Sequence, residues 1–361
     1  MGAITRGIAN NILGNGAVDG TDALTGTIPA TNIGNPSLAN LTTFPPSVDA
    51  GIPQVAGDPP APSDGDVWYN TNTYKLRVRG VSAALGSWSS GGNMNTARNE
   101  LAGAGTQTSA IAVGGEGPPV LTNSETYNGT SWTETADIST ARKGLRGAAT
   151  DNEAALVFGG DGPPTTGATE SWNGTSWTEV NDLNNARQQL AAAGTETAAL
   201  AFGGNPSDTP GYTEQWNGSA WTEVGDLNSM RQQLAGSGTN TAALGIGGNQ
   251  PGTGITPKVE SWNGTSWTET TDINTQRYIL AAAGTQLSTI AFGGDTPPAT
   301  TVTEQWNGTS WTEVADLSTA VKQHGGAGDT TTGLSFAGGP PSVTQTEEWN
   351  AGAANLNVDL A

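Results

Sequence analysis

The chain contains no cysteine and a single histidine, His324, among its 361 residues. The absence of cysteine excludes disulfide bonds and thiolate metal sites, and it leaves the redox compartment undetermined. One histidine is also too few for most zinc sites and for nucleophilic sites of the Ser–His or Cys–His type. We therefore expect no bound metal or cofactor, and we expect His324 to be a structural residue at the surface or between repeated units.

Basic residues are scarce. Lysine and arginine together number 13 against 33 acidic residues, which gives a formal net charge of −20. A nucleic-acid-binding protein needs a basic surface, and so does a protein that binds an anionic membrane. No apolar run approaches the length of a transmembrane span, and the opening residues Met1–Arg6 lead into no apolar segment typical of a signal peptide. We expect neither nucleic-acid binding nor membrane insertion, and we interpret the negative charge as favouring solubility.

What the chain has in abundance is glycine, 52 residues, arranged in a repeat. Pairs of adjacent glycines mark six units, at 114–115, 159–160, 203–204, 247–248, 293–294 and 338–339. A tryptophan recurs with them at steps of 45, 44, 46 and 44 residues, as Trp132, Trp177, Trp221, Trp267 and Trp311. A period of this length, with four short strand signals in each unit, is typical of the blades of a β-propeller.

One unit illustrates the four predicted strands, which are Leu190–Gly194, Thr197–Phe202, Thr213–Trp216 and Trp221–Val224. The first is rich in small residues, which suits the innermost strand of a blade. The second is a continuous apolar run that ends at glycines, as expected for a strand buried between blades. Asn217-Gly218 lies between the last two strands and predicts a hairpin, because both residues tolerate positive φ.

The sixth unit lacks a fourth strand of the usual pattern after Trp349. Trp88 precedes Arg98 by ten residues, which is the spacing between the second tryptophan and the arginine of the other units. We therefore predict that the segment Gly86–Ser89 completes the sixth blade and joins the two ends of the ring. The alternative is that Asn355–Leu360 forms this strand, and of the two we favour the segment around Trp88.

The pattern Gly-Gly, Glu-x-Trp/Tyr-Asn-Gly, Trp and then Arg resembles the Kelch repeat over residues 86–350, although the hairpin between the aromatic residues is shorter than in that family. The resemblance implies a six-bladed propeller, which we expect to occupy residues 81–361 of an all-β chain. The arginines of the repeat are Arg98, Arg142, Arg187, Arg231 and Arg277, with Lys322 near the sixth position. The glutamates are Glu125, Glu170, Glu214, Glu260, Glu304 and Glu347, and we expect structural ion pairs between the two sets that run from blade to blade.

Residues 1–62 have isolated apolar residues among small polar ones, and such a segment cannot form a core by itself. We predict an extended arm that docks on a partner. Residues 63–80 predict a small hairpin, with strands Val67–Tyr69 and Lys75–Val78. The sequence Gly-Asp-Val-Trp-Tyr-Asn-Thr, followed by Lys-Leu-Arg, resembles a module of tail and fibre-like proteins of bacteriophages, especially marine ones. This resemblance implies a structural protein of the virion.

The signals for catalysis are weak. Ser171–Trp177 resembles the Asp-box of sialidase-like propellers, but it is one residue short and has asparagine in place of aspartate. The recurring glutamates could act as carboxylate pairs on a glycoside, yet a feature present in every unit is expected to be structural. A glycan-cleaving propeller would need a non-repeated carboxylate pair in a pocket. We therefore expect that the chain is not an enzyme.

The segments that differ between units follow the paired glycines and are rich in proline and polar residues. We expect all six to lie on one face of the propeller, where stiff polar loops could bind a glycan or a protein at little entropic cost. The candidate ligand-binding residues on these loops are Glu116, Asp161, Asn205, Asp208, Asn249 and Asp295.

Together these features predict a bacteriophage virion structural protein, such as a tail fibre, that acts as a homo-oligomer. The arm would bind other virion proteins, and the propeller would recognise a glycan or protein of the host surface. Two alternatives remain open. One is a capsid decoration or head-fibre protein without a receptor role, and the other is a non-viral Kelch-like protein-interaction module.

Overall fold

The computed structural model describes residues 54–56, 67–72, 75–81, 86–205, 211–351 and 355–360. These residues contain only strands, turns and loops, so the all-β class predicted from the sequence is confirmed. They form two compact units, one from residues 86–351 and one from the described residues before and after that range. The predicted arm over residues 1–62 lies outside the described residues, except for 54–56.

The smaller unit is a four-stranded sheet. Its strands, in spatial order, are β1 (Gln54–Val55), β2 (Val67–Asn70), β3 (Lys75–Val81) and β30 (Asn355–Leu360). The predicted hairpin is present as the antiparallel pair of β2 and β3. The last strand, β30, pairs with β3 and is not a strand of the propeller, so the alternative closure by Asn355–Leu360 is wrong.

The larger unit is a six-bladed propeller in which every blade is a four-stranded antiparallel sheet. Blade 1 contains β5 (Ala102–Thr106), β6 (Ser109–Val113), β7 (Ser124–Tyr127) and β8 (Trp132–Glu134). Blade 2 contains β9 (Arg146–Ala149), β10 (Ala155–Phe158), β11 (Thr169–Trp172) and β12 (Trp177–Val180). Blade 3 contains β13 (Ala191–Thr195), β14 (Ala198–Phe202), β15 (Thr213–Trp216) and β16 (Trp221–Glu223).

Blade 4 contains β17 (Ala235–Gly238), β18 (Ala243–Ile246), β21 (Val259–Trp262) and β22 (Trp267–Glu269), with the small hairpin β19 (Asn249–Gln250) and β20 (Gly254–Ile255) in its loop. Blade 5 contains β23 (Ala281–Thr285), β24 (Ser288–Phe292), β25 (Thr303–Trp306) and β26 (Trp311–Glu313). Blade 6 contains β27 (Gly325–Gly328), β28 (Thr332–Phe336), β29 (Thr346–Asn350) and, as its outer strand, β4 (Ser87–Ser90).

The first strand of each blade lies innermost, and these six strands contact one another in a closed circle. Small residues are needed there because neighbouring backbones approach closely. At Gly236, an added Cβ atom would lie 2.3 Å from the carbonyl oxygen of Ala192 in the neighbouring blade. The second strands are buried along their whole length in blades 2 and 4, as their apolar runs predict.

The strand around Trp88 completes blade 6. Strand β4 pairs antiparallel with β29, and Trp88 lies opposite Trp349. The two rings are 5.5 Å apart between centroids, and the Trp88 indole N–H donates to Thr303 Oγ1 at 3.1 Å in blade 5. Because β4 precedes blade 1 in the chain, this pairing joins the first part of the propeller to the last and removes a free edge.

The turns that connect the two outer strands differ in conformation from the predicted two-residue Asn-Gly turn. In blade 3 the turn spans four residues, and only Gly218 has positive φ, at 91°. Asn217 contributes through its side chain, since its Oδ1 accepts hydrogen bonds from the backbone N–H groups of Ser219 and Ala220. This is an Asx-type turn, in which the amide oxygen replaces a backbone acceptor.

The outer tryptophans connect neighbouring blades. Trp221 packs edge-on against Phe158 of blade 2 at 4.8 Å, and its indole N–H donates to Thr169 Oγ1 of that blade at 3.2 Å. Equivalent hydrogen bonds to threonine hydroxyl groups are made by Trp88, Trp132 and Trp267. Trp177 and Trp311 instead donate to backbone carbonyl groups of the preceding blade.

The arginines and glutamates of the repeat form five buried ion pairs, each between the connection that enters a blade and the third strand of that same blade. The sequence-based expectation that the pairs run from one blade to the next is wrong, because each arginine already stands at the entry to the blade of its glutamate. The separations are 3.0, 2.8, 2.8, 3.0 and 3.0 Å for Arg98–Glu125, Arg142–Glu170, Arg187–Glu214, Arg231–Glu260 and Arg277–Glu304. Burial lowers the pKa of each arginine, and the partner glutamate acts in the opposite direction. These ten charged side chains are therefore part of the scaffold.

Candidate ligand-binding face

Two kinds of connection lie on the same face of the propeller. The four strands of a blade alternate in direction, so the second and fourth strands end on the same side of the propeller. The loop from the second to the third strand and the connection from the fourth strand to the next blade therefore both lie on that side. A hydrogen bond of 2.8 Å from Gly115 N–H to the Arg142 carbonyl joins one such loop to one such connection. We call this surface the loop face. It contains the loops that the sequence predicts to bind ligands.

The candidate residues are held firmly at the start of their loops. The backbones of Glu116, Asp161, Asn205, Asn249 and Asp295 form isolated β-bridges with Asn99, Lys143, Gln188, Gln232 and Tyr278. Each bridge joins a loop to the connection that enters its own blade. The loop backbone is therefore fixed at the residue that follows the glycines. Asp208 lies outside the described residues.

The acidic candidates differ in what they offer to a ligand. Asp295 is 1% exposed and accepts from Lys322 Nζ at 2.5 Å and from the Tyr278 hydroxyl group at 3.3 Å. It is therefore already engaged within the protein. Glu116 forms an ion pair with Lys143 but keeps 42% of its side chain exposed, and this contact raises the pKa of Lys143. Asp161, Asn205 and Asn249 are half-buried at the loop face.

The glycine pair of the sixth blade is displaced by one residue from its predicted position. Ala337 and Gly338, with φ of 61° and 114°, take the places that Gly293 and Gly294 occupy in blade 5 with φ of 61° and 99°. The sequence alone predicts Gly338-Gly339 for this role. Ala337 thus accepts the left-handed conformation that glycine adopts in the other blades.

A closed ring of backbone hydrogen bonds surrounds the centre of the loop face, and the sequence did not predict it. One residue from each blade connection donates its N–H to the carbonyl group of its counterpart in the preceding blade, over 2.7–3.0 Å. All six residues have positive φ, and they are Glu100, Gly144, Gln189, Gln233, Ile279 and Gln323. Each stands two residues after the arginine position of the repeat, but among the six only Gly144 is of a residue type that indicates positive φ.

Two charged residues, Arg146 and Glu100, break the symmetry of the ring. Arg146 begins the inner strand of blade 2, where the other five inner strands begin with alanine or glycine. Arg146 and Glu100 both line a small cavity at the ring. Burial lowers the pKa of Arg146 to about 10, with Glu100 opposing this effect, and burial raises the pKa of Glu100. The small cavity at this point is also lined by Gln323 and His324.

His324 lies between blades 5 and 6 and is 8% exposed. Its Nδ1 is 2.9 Å from Ser335 Oγ, and its ring packs against Phe292 at 5.6 Å, whereas Nε2 has no hydrogen-bond partner. It packs beside Gly293 as Leu234 packs beside Gly203. The histidine therefore takes the place of a leucine of the repeat, which supports a structural role between blades.

This position predicts a specific pH dependence. Burial, with smaller effects from Arg277 and Arg146, lowers the pKa of His324 from 6.5 to about 4. The unfolded chain takes up this proton near pH 6.5, so stability is complete above that pH and declines as the pH falls towards 4. Between pH 7 and pH 4, the free energy of unfolding measured in urea should fall by about 3 kcal/mol more for the wild type than for His324→Leu. Parallel pH profiles for the two proteins would contradict this assignment.

The chain matches no protein-family model, and no curated protein is significantly similar to it. The described residues contain no cluster of three or more histidine, cysteine or acidic side chains arranged to hold a metal ion. Within the same residues, no helix has the length and apolar character required to cross a membrane. The loop face is therefore assigned from its geometry.

Proposed function

We propose that the chain is a bacteriophage virion structural protein whose Kelch-like propeller recognises a host surface through the loop face. A β-propeller is consistent with a recognition or interaction module. The observation that carries the proposal is the contrast between the two sets of polar residues. The repeated arginines and glutamates are buried in the scaffold, whereas Glu116, Asp161, Asn205 and Asn249, which follow the glycines, are anchored at one face and keep part of their polar side chains exposed there.

This arrangement suits recognition because the loops are ordered before a ligand arrives. The β-bridges at Glu116, Asp161 and Asn249 fix the start of each loop, so binding would order few additional residues. In the proposed setting, residues 1–62 attach the chain to other virion proteins. Several copies on one particle would then bind a repetitive host surface with an avidity above that of a single propeller.

We propose that the chain acts without catalysis. The six repeated glutamates are at most 3% exposed, and each accepts hydrogen bonds from backbone N–H groups of a blade connection. These carboxylates are occupied by the scaffold and do not meet a substrate at the loop face. This observation favours a binding role over glycan cleavage.

A second candidate is a decoration or head-fibre role without a receptor, or a Kelch-like interaction module outside a virion. It is favoured by the internal ion pairs of Asp295 and Glu116, which remove charge from the loop face. In this case the loop face would have no cell-surface ligand. The arm would then carry the function.

Binding of the labelled full-length chain to whole cells of a panel of marine bacteria separates the two candidates. We expect saturable binding to particular strains. Surface polysaccharide or a protein extract from those strains should compete with the cells for the labelled chain. The triple variant E116A/D161A/N249A should bind about tenfold more weakly. The matched control T175A/T265A/T309A changes exposed residues in the hairpins at the opposite end of the blades and should bind as the wild type does.

Absence of saturable binding across the panel would favour the decoration role. Equal loss of binding in the loop-face variant and its control would place recognition elsewhere on the chain. Detection of the protein in purified particles by mass spectrometry tests the virion assignment separately from the ligand. Its absence from the particles of a virus that encodes it would contradict that assignment.

A further inference from the structure

The sixth blade lacks the arginine that the other five contain, and the structure identifies the residue in its place. In every blade, the N–H of the second residue of the glycine pair donates to the carbonyl group at the arginine position of the next blade. Five of these acceptors are Arg98, Arg142, Arg187, Arg231 and Arg277, and the sixth is Val321, reached from Gly294 at 2.8 Å. Lys322, the nearest cation in the sequence, pairs with Asp295 instead.

Blade 5 shows how the arginine is bound where it is present. Arg277 Nη2 donates to Glu304 Oε1 at 3.0 Å. Its Nη1 donates to the carbonyl groups of Gly293 and Val302 at 2.9 and 2.6 Å. The guanidinium is thus held by one carboxylate and two backbone carbonyl groups, which its forked donors can reach together.

Blade 6 retains the acceptors of this arrangement. Glu347 is 3% exposed and accepts from the backbone N–H groups of Ser318 and Thr319 at 2.8 and 3.3 Å, as Glu304 does from Asn274 and Thr275. In place of a guanidinium, Glu347 Oε1 receives the neutral side-chain amide of Gln345 at 3.0 Å. A buried carboxylate without an opposite charge is unfavourable, so this site would gain from a cation.

The space that the arginine side chain would fill remains open. A cavity of about 140 Å³ is lined by Val321, Ser335, Ala337, Gln345 and Glu347. Ala337 and Gln345 are the counterparts of Gly293 and Val302, because the N–H of Ala337 donates to the carbonyl of Gln345 at 2.9 Å as that of Gly293 does to Val302 at 3.1 Å. Exposed residues form the mouth of the cavity, namely Thr319, Ala320, Pro340 and Pro341.

We propose that this cavity in blade 6 is a binding site for a guanidinium group, presented as an arginine side chain of a partner polypeptide. Five guanidinium groups of this chain pair with the equivalent glutamate, and those of Arg142, Arg231 and Arg277 also donate to the same two backbone carbonyl positions, which supports the choice of ligand. The group would pair with Glu347 and with the carbonyl groups of Ala337 and Gln345, and displace the Gln345 amide. A cavity of this size has room for the planar head group. The site is independent of the proposed host-recognition role.

The direct test is calorimetric titration of the full-length chain with methylguanidinium and with an uncharged-end peptide that contains one arginine. Methylammonium and the same peptide with lysine serve as matched ligands, and all solutions have equal ionic strength. We expect saturable binding of both guanidinium ligands. Binding of the lysine ligands should be about tenfold weaker or more, because an ammonium cannot donate to all three acceptors in one plane.

Two variants separate this site from the rest of the protein. Glu347→Gln removes the charge and should weaken methylguanidinium binding about tenfold or more. Val321→Arg restores the arginine of the repeat, which should abolish binding and raise the melting temperature. Val321→Ala keeps the cavity open and should still bind, which controls for substitution at this position.

Three results would overturn the proposal. The first is absence of saturable binding of methylguanidinium to the wild-type chain at concentrations well below those that denature it. The second is equal binding by the wild type and Val321→Arg. The third is binding of methylguanidinium without binding of the arginine peptide, which would exclude a polypeptide as the source of the group.

Discussion

A propeller fragment of residues 91–351 is expected to melt about 10 °C or more below a fragment of residues 83–351. The two differ only by the segment that contains β4. Removing it deletes the outer strand of blade 6 and with it Trp88. Loss of a packed tryptophan alone typically destabilises a protein by about 3–5 kcal/mol, and each kcal/mol lowers the melting temperature of a domain of this size by about 2–4 °C.

The physical reason is that β4 holds together the two parts of the ring that are most distant in sequence. It pairs with β29, and the Trp88 ring contacts Phe292 of blade 5 at 5.0 Å between centroids. Without β4, the third strand of blade 6 becomes an exposed edge, which also favours association between molecules. Thermal unfolding followed by near-ultraviolet circular dichroism measures the effect, because the tryptophan pairs dominate that signal.

A point variant tests the same idea without truncation. Because Trp88 is half-buried, Trp88→Ala in the full-length chain should lower the free energy of unfolding by about 3 kcal/mol, the lower end of the range for buried aromatic residues. A synthetic peptide of residues 83–90 should restore part of the melting temperature of the 91–351 fragment, since it can occupy the vacant strand position. Equal melting temperatures for the two fragments would show that ring closure does not depend on β4.

Much of this architecture could be predicted because its determinants are local and repeated. The spacing of Trp88 from Arg98 matches that of the internal units, so it identified the closing strand before any contact was known. The inner strands could be recognised from their small residues, which the close approach of Gly236 to Ala192 explains. Six copies of one pattern average out the ambiguity of any single short strand.

The features that escaped prediction depend on contacts distant in sequence or on one altered copy. Strand β30 has an ordinary strand sequence, and only its pairing with β3 places it outside the propeller. The ring of left-handed residues includes Gln233 and Ile279, which carry no sequence signal for positive φ. The cavity in blade 6 results from Val321 standing where the other blades have arginine. The sequence did not reveal this substitution, because the neighbouring Lys322 could be taken for the equivalent cation.

The buried ion pairs provide the second large effect. Glu260→Gln is expected to lower the free energy of unfolding by about 3–5 kcal/mol, because it leaves the charge of Arg231 in the protein interior without a partner. Both side chains are fully buried, at 0% exposure, and their atoms are 3.0 Å apart. Arg231 Nη1 would keep its bonds to the carbonyl groups of Gly247 and Lys258, but carbonyl dipoles do not replace a full opposite charge.

The sixth blade supplies the matched control within the same molecule. Glu347→Gln makes the same chemical change at the equivalent position, where the cation is absent, so no charge is left unpaired. It weakens the hydrogen bonds that Glu347 accepts from the backbone N–H groups of Ser318 and Thr319, but it also removes a buried charge that has no cation, so the free energy of unfolding should fall by only about 1 kcal/mol or less. Unfolding is measured in urea, because guanidinium salts would occupy the proposed site in blade 6. Similar losses for the two variants would mean that the guanidinium contributes little beyond the hydrogen bonds, and that the five ion pairs specify the geometry of the blades more than they stabilise it.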